Sequence, residues 1–171
     1  MSLSNTTAPD FTLDTTAGDT VTLADTLDSG PSILLFNRGP WCSYCAEQLL
    51  TYSALNYDLW RHHNATIYPI FGNAVPELVT MRDRFDLTMQ LLADPDLTIV
   101  DQYTGIEHTQ NHGRVPIAGT FIVDTDQTVR YEHIADNYAD RTYANYARHL
   151  IKNDYAPPYD QFEYNRGETP T

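Results

Sequence analysis

The chain has 171 residues, a hydrophobic fraction of 42% and a formal net charge of -13. That is one domain's length with apolar content enough for a packed core, and it excludes general disorder. No apolar run nears the ~20 residues of a membrane span, and Met1 to Asp10 lack the basic-then-apolar order of a secretory signal, so a cytoplasmic protein is expected.

Seventeen of the 23 acids are Asp, and Lys152 is the only lysine. Such a surface repels nucleic acid and anionic membranes. It suits concentrated salt, which screens like charges.

Phe11 to Leu13 and Val21 to Leu23 alternate around Ala17-Gly18-Asp19, which predicts an N-terminal hairpin. The run Ile33 to Phe36 is the mark of a strand buried on both faces, and Gly39-Pro40 breaks it. From Cys42 the period becomes helical, with Ala46, Leu49, Leu50, Ser53, Ala54, Tyr57 and Trp60 as the expected inward stripe to about His62. A strand over Ile67 to Phe71 follows, then a helix from Pro76 to about Phe85, with Pro in its first turn. Leu91 to Ala93 reads as a short strand and Leu97 to Tyr103 as a short helix. Gly119 to Asp124 and Thr128 to Ile134 read as paired strands, and Tyr143 to Ile151 as a last helix. A parallel crossover unit followed by an antiparallel pair is an α/β, thioredoxin-like three-layer layout. It has a mixed central sheet, helices on both faces and the hairpin as an extension. Residues 1–153 form its single expected domain, and residues 154–171 a polar tail.

Only two cysteines exist, Cys42 and Cys45, and they sit three residues apart. So short a loop constrains little of the unfolded chain, so the pair is not there for folding. Cys42 falls after a buried strand and a turn, at the first position of a helix. Unpaired N–H groups there stabilise an anion and lower a thiol's pKa. Cys42 is therefore the expected nucleophile and Cys45, one turn on, the resolving thiol. A zinc site needs two further ligands, and His108 and His112 lie in a stretch with no predicted helix to bring them together, so no metal or other cofactor is expected.

The stretch Phe36-Asn37-Arg38-Gly39-Pro40-Trp41-Cys42-Ser43-Tyr44-Cys45 resembles the F-Y-R-G-x-W-C-P-Y-C signature of peroxiredoxin-like proteins. These belong to the alkyl hydroperoxide reductase and thiol-specific antioxidant family. The resemblance continues in Ala8 to Leu13, Leu92 to Pro95, Gly119 to Asp124 and loosely His133 to Arg141. It implies a thioredoxin fold, reduction of hydroperoxides or disulfides, and re-reduction by a thioredoxin-like or low-molecular-weight thiol. Relatives often pair, so a homodimer is among the expectations.

The chain departs from the P-x-x-x-T-x-x-C of typical peroxiredoxins, with Leu35 and Gly39 at the Pro and Thr positions. Ala118 stands where such proteins often carry Arg, and where thioredoxin-type reductases carry a proline. Arg38 is a candidate to favour the thiolate and hold a peroxide oxygen, against simple pairing with a surface carboxylate. Arg114 is a second candidate, and Trp41 one for shielding the sulfur and docking substrate. Three readings stay open: a thiol peroxidase, a thiol-disulfide oxidoreductase acting on protein disulfides, and a non-enzymatic redox sensor.

Overall fold

The computed structural model describes residues 1–157. β1 (Thr12–Thr15) and β2 (Thr20–Thr22) form the expected antiparallel hairpin. Its turn uses Gly18 at φ 86°, a conformation open to a residue without Cβ. Leu23 does not extend the hairpin. It opens the short helix α1 (Leu23–Thr26), because its side chain packs fully buried beside Phe11 and Leu27.

β3 (Ser32–Asn37) is buried along its whole length and leads into the long helix α2 (Ser43–His63). β4 (Thr66–Phe71), α3 (Val75–Phe85), β5 (Leu92–Ala93) and α4 (Thr98–Tyr103) follow in the predicted order. A second hairpin, β6 (Ile106–Thr109) and β7 (Gly113–Pro116), stands outside the main sheet. The sequence reading placed no element there, because these residues are mostly polar and half or fully exposed, so no apolar period marks them. β8 (Gly119–Val123), β9 (Val129–Ile134) and α5 (Ala144–Lys152) complete the chain.

The main sheet has seven strands in the order β2-β1-β5-β4-β3-β8-β9. β3, β4 and β5 run parallel, while β8 and β9 are antiparallel to their neighbours. The continuous apolar run of β3 divides by parity. Ile33 and Leu35 enter the core under α2, α3 and α5, and Leu34 and Phe36 the core under α1 and α4. Both faces are covered, and this is the thioredoxin-like three-layer arrangement.

One local expectation shifts. The inward stripe of α2 is Cys45, Ala46, Gln48, Leu49, Tyr52 and Leu59, whereas Leu50, Ala54, Tyr57 and Trp60 are exposed. At the start of the expected tail, Tyr155 packs against the core that α2 and α5 share, and its N–H donates to the Leu150 carbonyl at 2.7 Å. Residues 158–171 of that tail lie outside the described residues.

Candidate active site

After Asn37 the chain turns through Arg38, Gly39, Pro40 and Trp41 into α2. Cys42 is the N-cap, one residue before the first helical position that was expected of it and that Ser43 takes, with φ -83° and ψ 112°. Its N–H donates to the Gly39 carbonyl at 3.1 Å, and its carbonyl accepts the Ala46 N–H at 3.1 Å, the first bond of the helix. The sulfur thus remains at the mouth of α2, among N–H groups that carry partial positive charge. Cys42 is 5% exposed and Cys45, in the first turn, is fully buried.

The two thiols divide one proton unequally. The Cys45 thiol, donating to the Cys42 sulfur, is the main cause that brings Cys42 down to about 5 against the opposing effect of burial. The Cys45 backbone N–H and the charges of Arg141 and Arg38 assist. Cys45 moves the other way, raised well above the ordinary range by the same shared interaction and by burial. At neutral pH the geometry therefore holds Cys42 as thiolate and Cys45 as thiol.

Arg141 is the residue that sequence reasoning missed. It is 3% exposed, and its Nη2 donates to Cys42 Sγ at 3.6 Å and to Cys45 Sγ at 3.4 Å. Nη1 donates to the Asp140 carbonyl at 2.7 Å, while Nε is buried without a protein acceptor. The guanidinium is held in place through its neighbours. The Thr142 carbonyl accepts from Gln48 Nε2 at 2.7 Å and from the Tyr52 hydroxyl at 3.2 Å, which ties the 135–143 loop to α2. The Thr142 hydroxyl shares a 2.9 Å bond with Tyr131 on β9. Asp140 lies 3.0 Å from His133 Nε2, an ion-pair distance without hydrogen-bond alignment. The only sequence signal was that Arg141 closes the last, loosest segment of the family resemblance.

The other candidates gather between the turn before α2 and the β6–β7 hairpin. Arg38 donates from Nε to Glu107 at 2.6 Å and lies 5.0 Å from the Trp41 ring centroid. Arg38 has the carboxylate partner of one reading, and its charge adds the smallest of the influences that lower the Cys42 thiol. Trp41 is 40% exposed and stacks on His112 of the β6–β7 turn, with ring centroids 3.7 Å apart. Its indole also explains the missing Thr. A Cβ on Gly39 would stand 2.3 Å from Trp41 Nε1, so the ring occupies the place a side chain would need. Arg114 is exposed on β7 and lines a small cavity with Arg38 and Trp41, while the contact to the sulfurs is made by Arg141. His108 is exposed on β6, and among the described residues no group of three metal-ligating side chains forms.

The AhpC/TSA family model matches residues 5–132, ending short of Arg141. Among solved structures, the chain is similar to peroxidoxin BcpB of Mycobacterium tuberculosis. The TM-score is 0.77 at 20% identity, over 89% of this chain and 97% of that one. AhpC of Enterococcus faecalis gives 0.74 at 19% identity, over 100% and 99%. The reduced 2-Cys peroxiredoxin of Plasmodium vivax gives 0.73 at 13% identity, over 88% and 95%. No curated protein sequence matches. At such identities the structures speak for the fold, and the family model speaks for membership. The chain belongs to the AhpC/TSA family, and is a peroxiredoxin-like oxidoreductase of the thiol peroxidase type.

Proposed function

We propose that the protein reduces hydroperoxides through Cys42, with Cys45 as the resolving thiol. The observation that carries this reading is the placement of Arg141, buried and in reach of both sulfurs. The Cys42 thiolate attacks one peroxide oxygen, the O–O bond breaks, and the leaving alkoxide or hydroxide takes up a proton. Cys42 is left as a sulfenic acid. The Cys45 sulfur then attacks the Cys42 sulfur, the S–O bond breaks, and water departs with the Cys45 proton. A donor thiol returns the disulfide to the dithiol. The guanidinium favours the thiolate, and its Nε, buried without an acceptor, is available to an oxygen of the peroxide.

A second reading, thiol-disulfide oxidoreductase on protein substrates, is favoured by the exposed Trp41 face beside a C-x-x-C at a helix mouth. Cys45→Ser separates the two. As a peroxidase, the variant consumes one equivalent of hydrogen peroxide in rapid mixing and stops at a sulfenic acid that dimedone traps. Slow peroxide consumption, with mixed disulfides to partner proteins instead, would move the assignment to the second reading.

A further inference from the structure

The residues that an apolar pattern selects on α2 do form a stripe, but on the outer face of the helix. Leu50 is 44% exposed, Tyr57 69% and Trp60 58%, and Ala54 between them is exposed as well. Large apolar side chains left in water as a group mark a surface that something covers. Tyr57 and Trp60, with ring centroids 6.1 Å apart, stand at the rim of a cavity of about 610 Å³ that Val21, Ile67 and Met89 also line. From Gln48 to Tyr57 the helix carries no charged side chain, in a chain whose charged fraction is 19% and whose net charge is -13.

The two ends of the stripe are charged, and oppositely. Glu47 and Arg61 are both exposed, and neither has an ion-pair partner among the described residues. Glu47, Leu50, Ala54, Tyr57 and Arg61 follow one another at alternating steps of three and four, the repeat of a helix that lies along another helix. Ala54 is the midpoint, seven positions from each charge.

We propose that this face is where two copies of the chain meet, α2 against α2, antiparallel about a twofold axis at Ala54. The family resemblance admits a pair without saying which face it uses, and the proposal does not rest on the peroxidase reading. Around a twofold axis both copies offer the same patch, so the patch must complement itself. Antiparallel pairing achieves this. It sets Glu47 against Arg61 of the partner subunit at both ends, whereas parallel helices would bring like charges together. The small side chain of Ala54 lets the two axes approach where they cross. Acidic surfaces repel one another, so the patch without charge is where two copies of charge -13 can touch. The stripe is roughly 21 Å long and one helix wide, at the small end of interfaces, so the dimer is reversible rather than obligate.

The full chain is followed by sedimentation velocity over a range of protein concentrations in ~0.1 M and ~2 M potassium chloride. A monomer–dimer equilibrium is expected, shifted toward dimer at the higher salt because screening shortens the repulsion between acidic copies. Ala54→Glu sets two carboxylates side by side at the axis and should weaken the dimer about 100-fold. The charge variants are compared at the lowest salt at which the wild type dimerises. Glu47→Arg and Arg61→Glu should each weaken the dimer about tenfold, and the double variant, which exchanges the charges, should restore it. The single variants move the net charge in opposite directions, so an effect of overall charge would strengthen one dimer and weaken the other. All three positions are exposed, and circular dichroism checks that each variant is folded. A chain that stays monomeric at both salts leaves the face to a different partner and overturns the proposal. So does a dimer that Ala54→Glu leaves intact, which places the contact elsewhere. Opposite shifts from the two charge variants, with no restoration in the double, overturn it as well.

Discussion

At the scale of single residues, the chemistry depends on one sulfur being charged. With Cys42 at about 5, the peroxide rate is flat at neutral pH and falls tenfold per unit once pH drops well below that value, because only the thiolate attacks. Thiolate absorbance at 240 nm should titrate with the same midpoint. A midpoint near 8.5, the free-thiol value, would contradict the assignment. Arg141→Met keeps the side chain's bulk and removes its donors. It should raise the Cys42 midpoint and slow peroxide reduction by roughly 100-fold, the scale for losing one preorganised donor. Stopped-flow rates on the fully ionised variant at alkaline pH separate the two effects.

The cysteines were legible because their spacing and local context are both short-range. Arg141 was not. It reaches Cys42 from 99 positions along the chain, and neither periodicity nor a motif joins the two. Gly39 was legible only as a departure. The indole that fills its place belongs to a residue whose rotamer no sequence pattern gives.

At the scale of elements, α2 does two jobs. Its mouth ionises Cys42, and its inner face holds the loop that brings Arg141. Gln48 is 1% exposed and donates to both the Thr142 carbonyl and, at 3.4 Å, the Thr120 hydroxyl. Gln48→Leu preserves much of the volume and strips both bonds. It should lower stability by about 1–3 kcal/mol, the penalty for a buried acceptor left short of a partner. The Cys42 midpoint should rise with it as the guanidinium loosens. Chemical denaturation and the 240 nm titration read the two consequences, and a change in stability alone would place Gln48 outside the site.

This face also shows why the predicted stripe was rotated. Hydrophobicity selects Leu50, Tyr57 and Trp60, but the core chose Gln48 and Tyr52, whose side-chain donors are accepted by the carbonyl of Thr142. Polar residues that find such partners are invisible to an apolar pattern. The strands were easier. β3, β4 and β8 carry apolar runs long enough to fix their type and β9 alternates Val129, Arg130, Tyr131 and Glu132, whereas the β6–β7 hairpin carries no such signal.

Across the whole molecule, the parallel crossover unit and the later antiparallel pair followed from the alternation of short apolar runs with helical periods, whereas the pairing of the N-terminal hairpin with β5 in the same sheet had no sequence signal. The charge has its own effect at this scale. A net charge of -13 opposes compaction, and salt shortens the range of that repulsion from ~10 Å at 0.1 M to ~3 Å at 1 M. The melting temperature should therefore rise by several degrees between 0.1 and 2 M potassium chloride, followed by circular dichroism. A temperature that stays level or falls would mean that surface pairs such as Arg130 with Asp124 and Asp126 already outweigh the repulsion.

The spacing of the two sulfurs within a single helical turn also bears on how the protein endures its own substrate. Where condensation must wait for a distant segment to swing in, a second peroxide has time to push the first oxidation product on to the irreversible sulfinic state. Under the proposed mechanism the trapping partner, Cys45, already lies within one turn of Cys42. The window for overoxidation should therefore be short, and activity should survive oxidant bursts that would progressively silence a slower resolver.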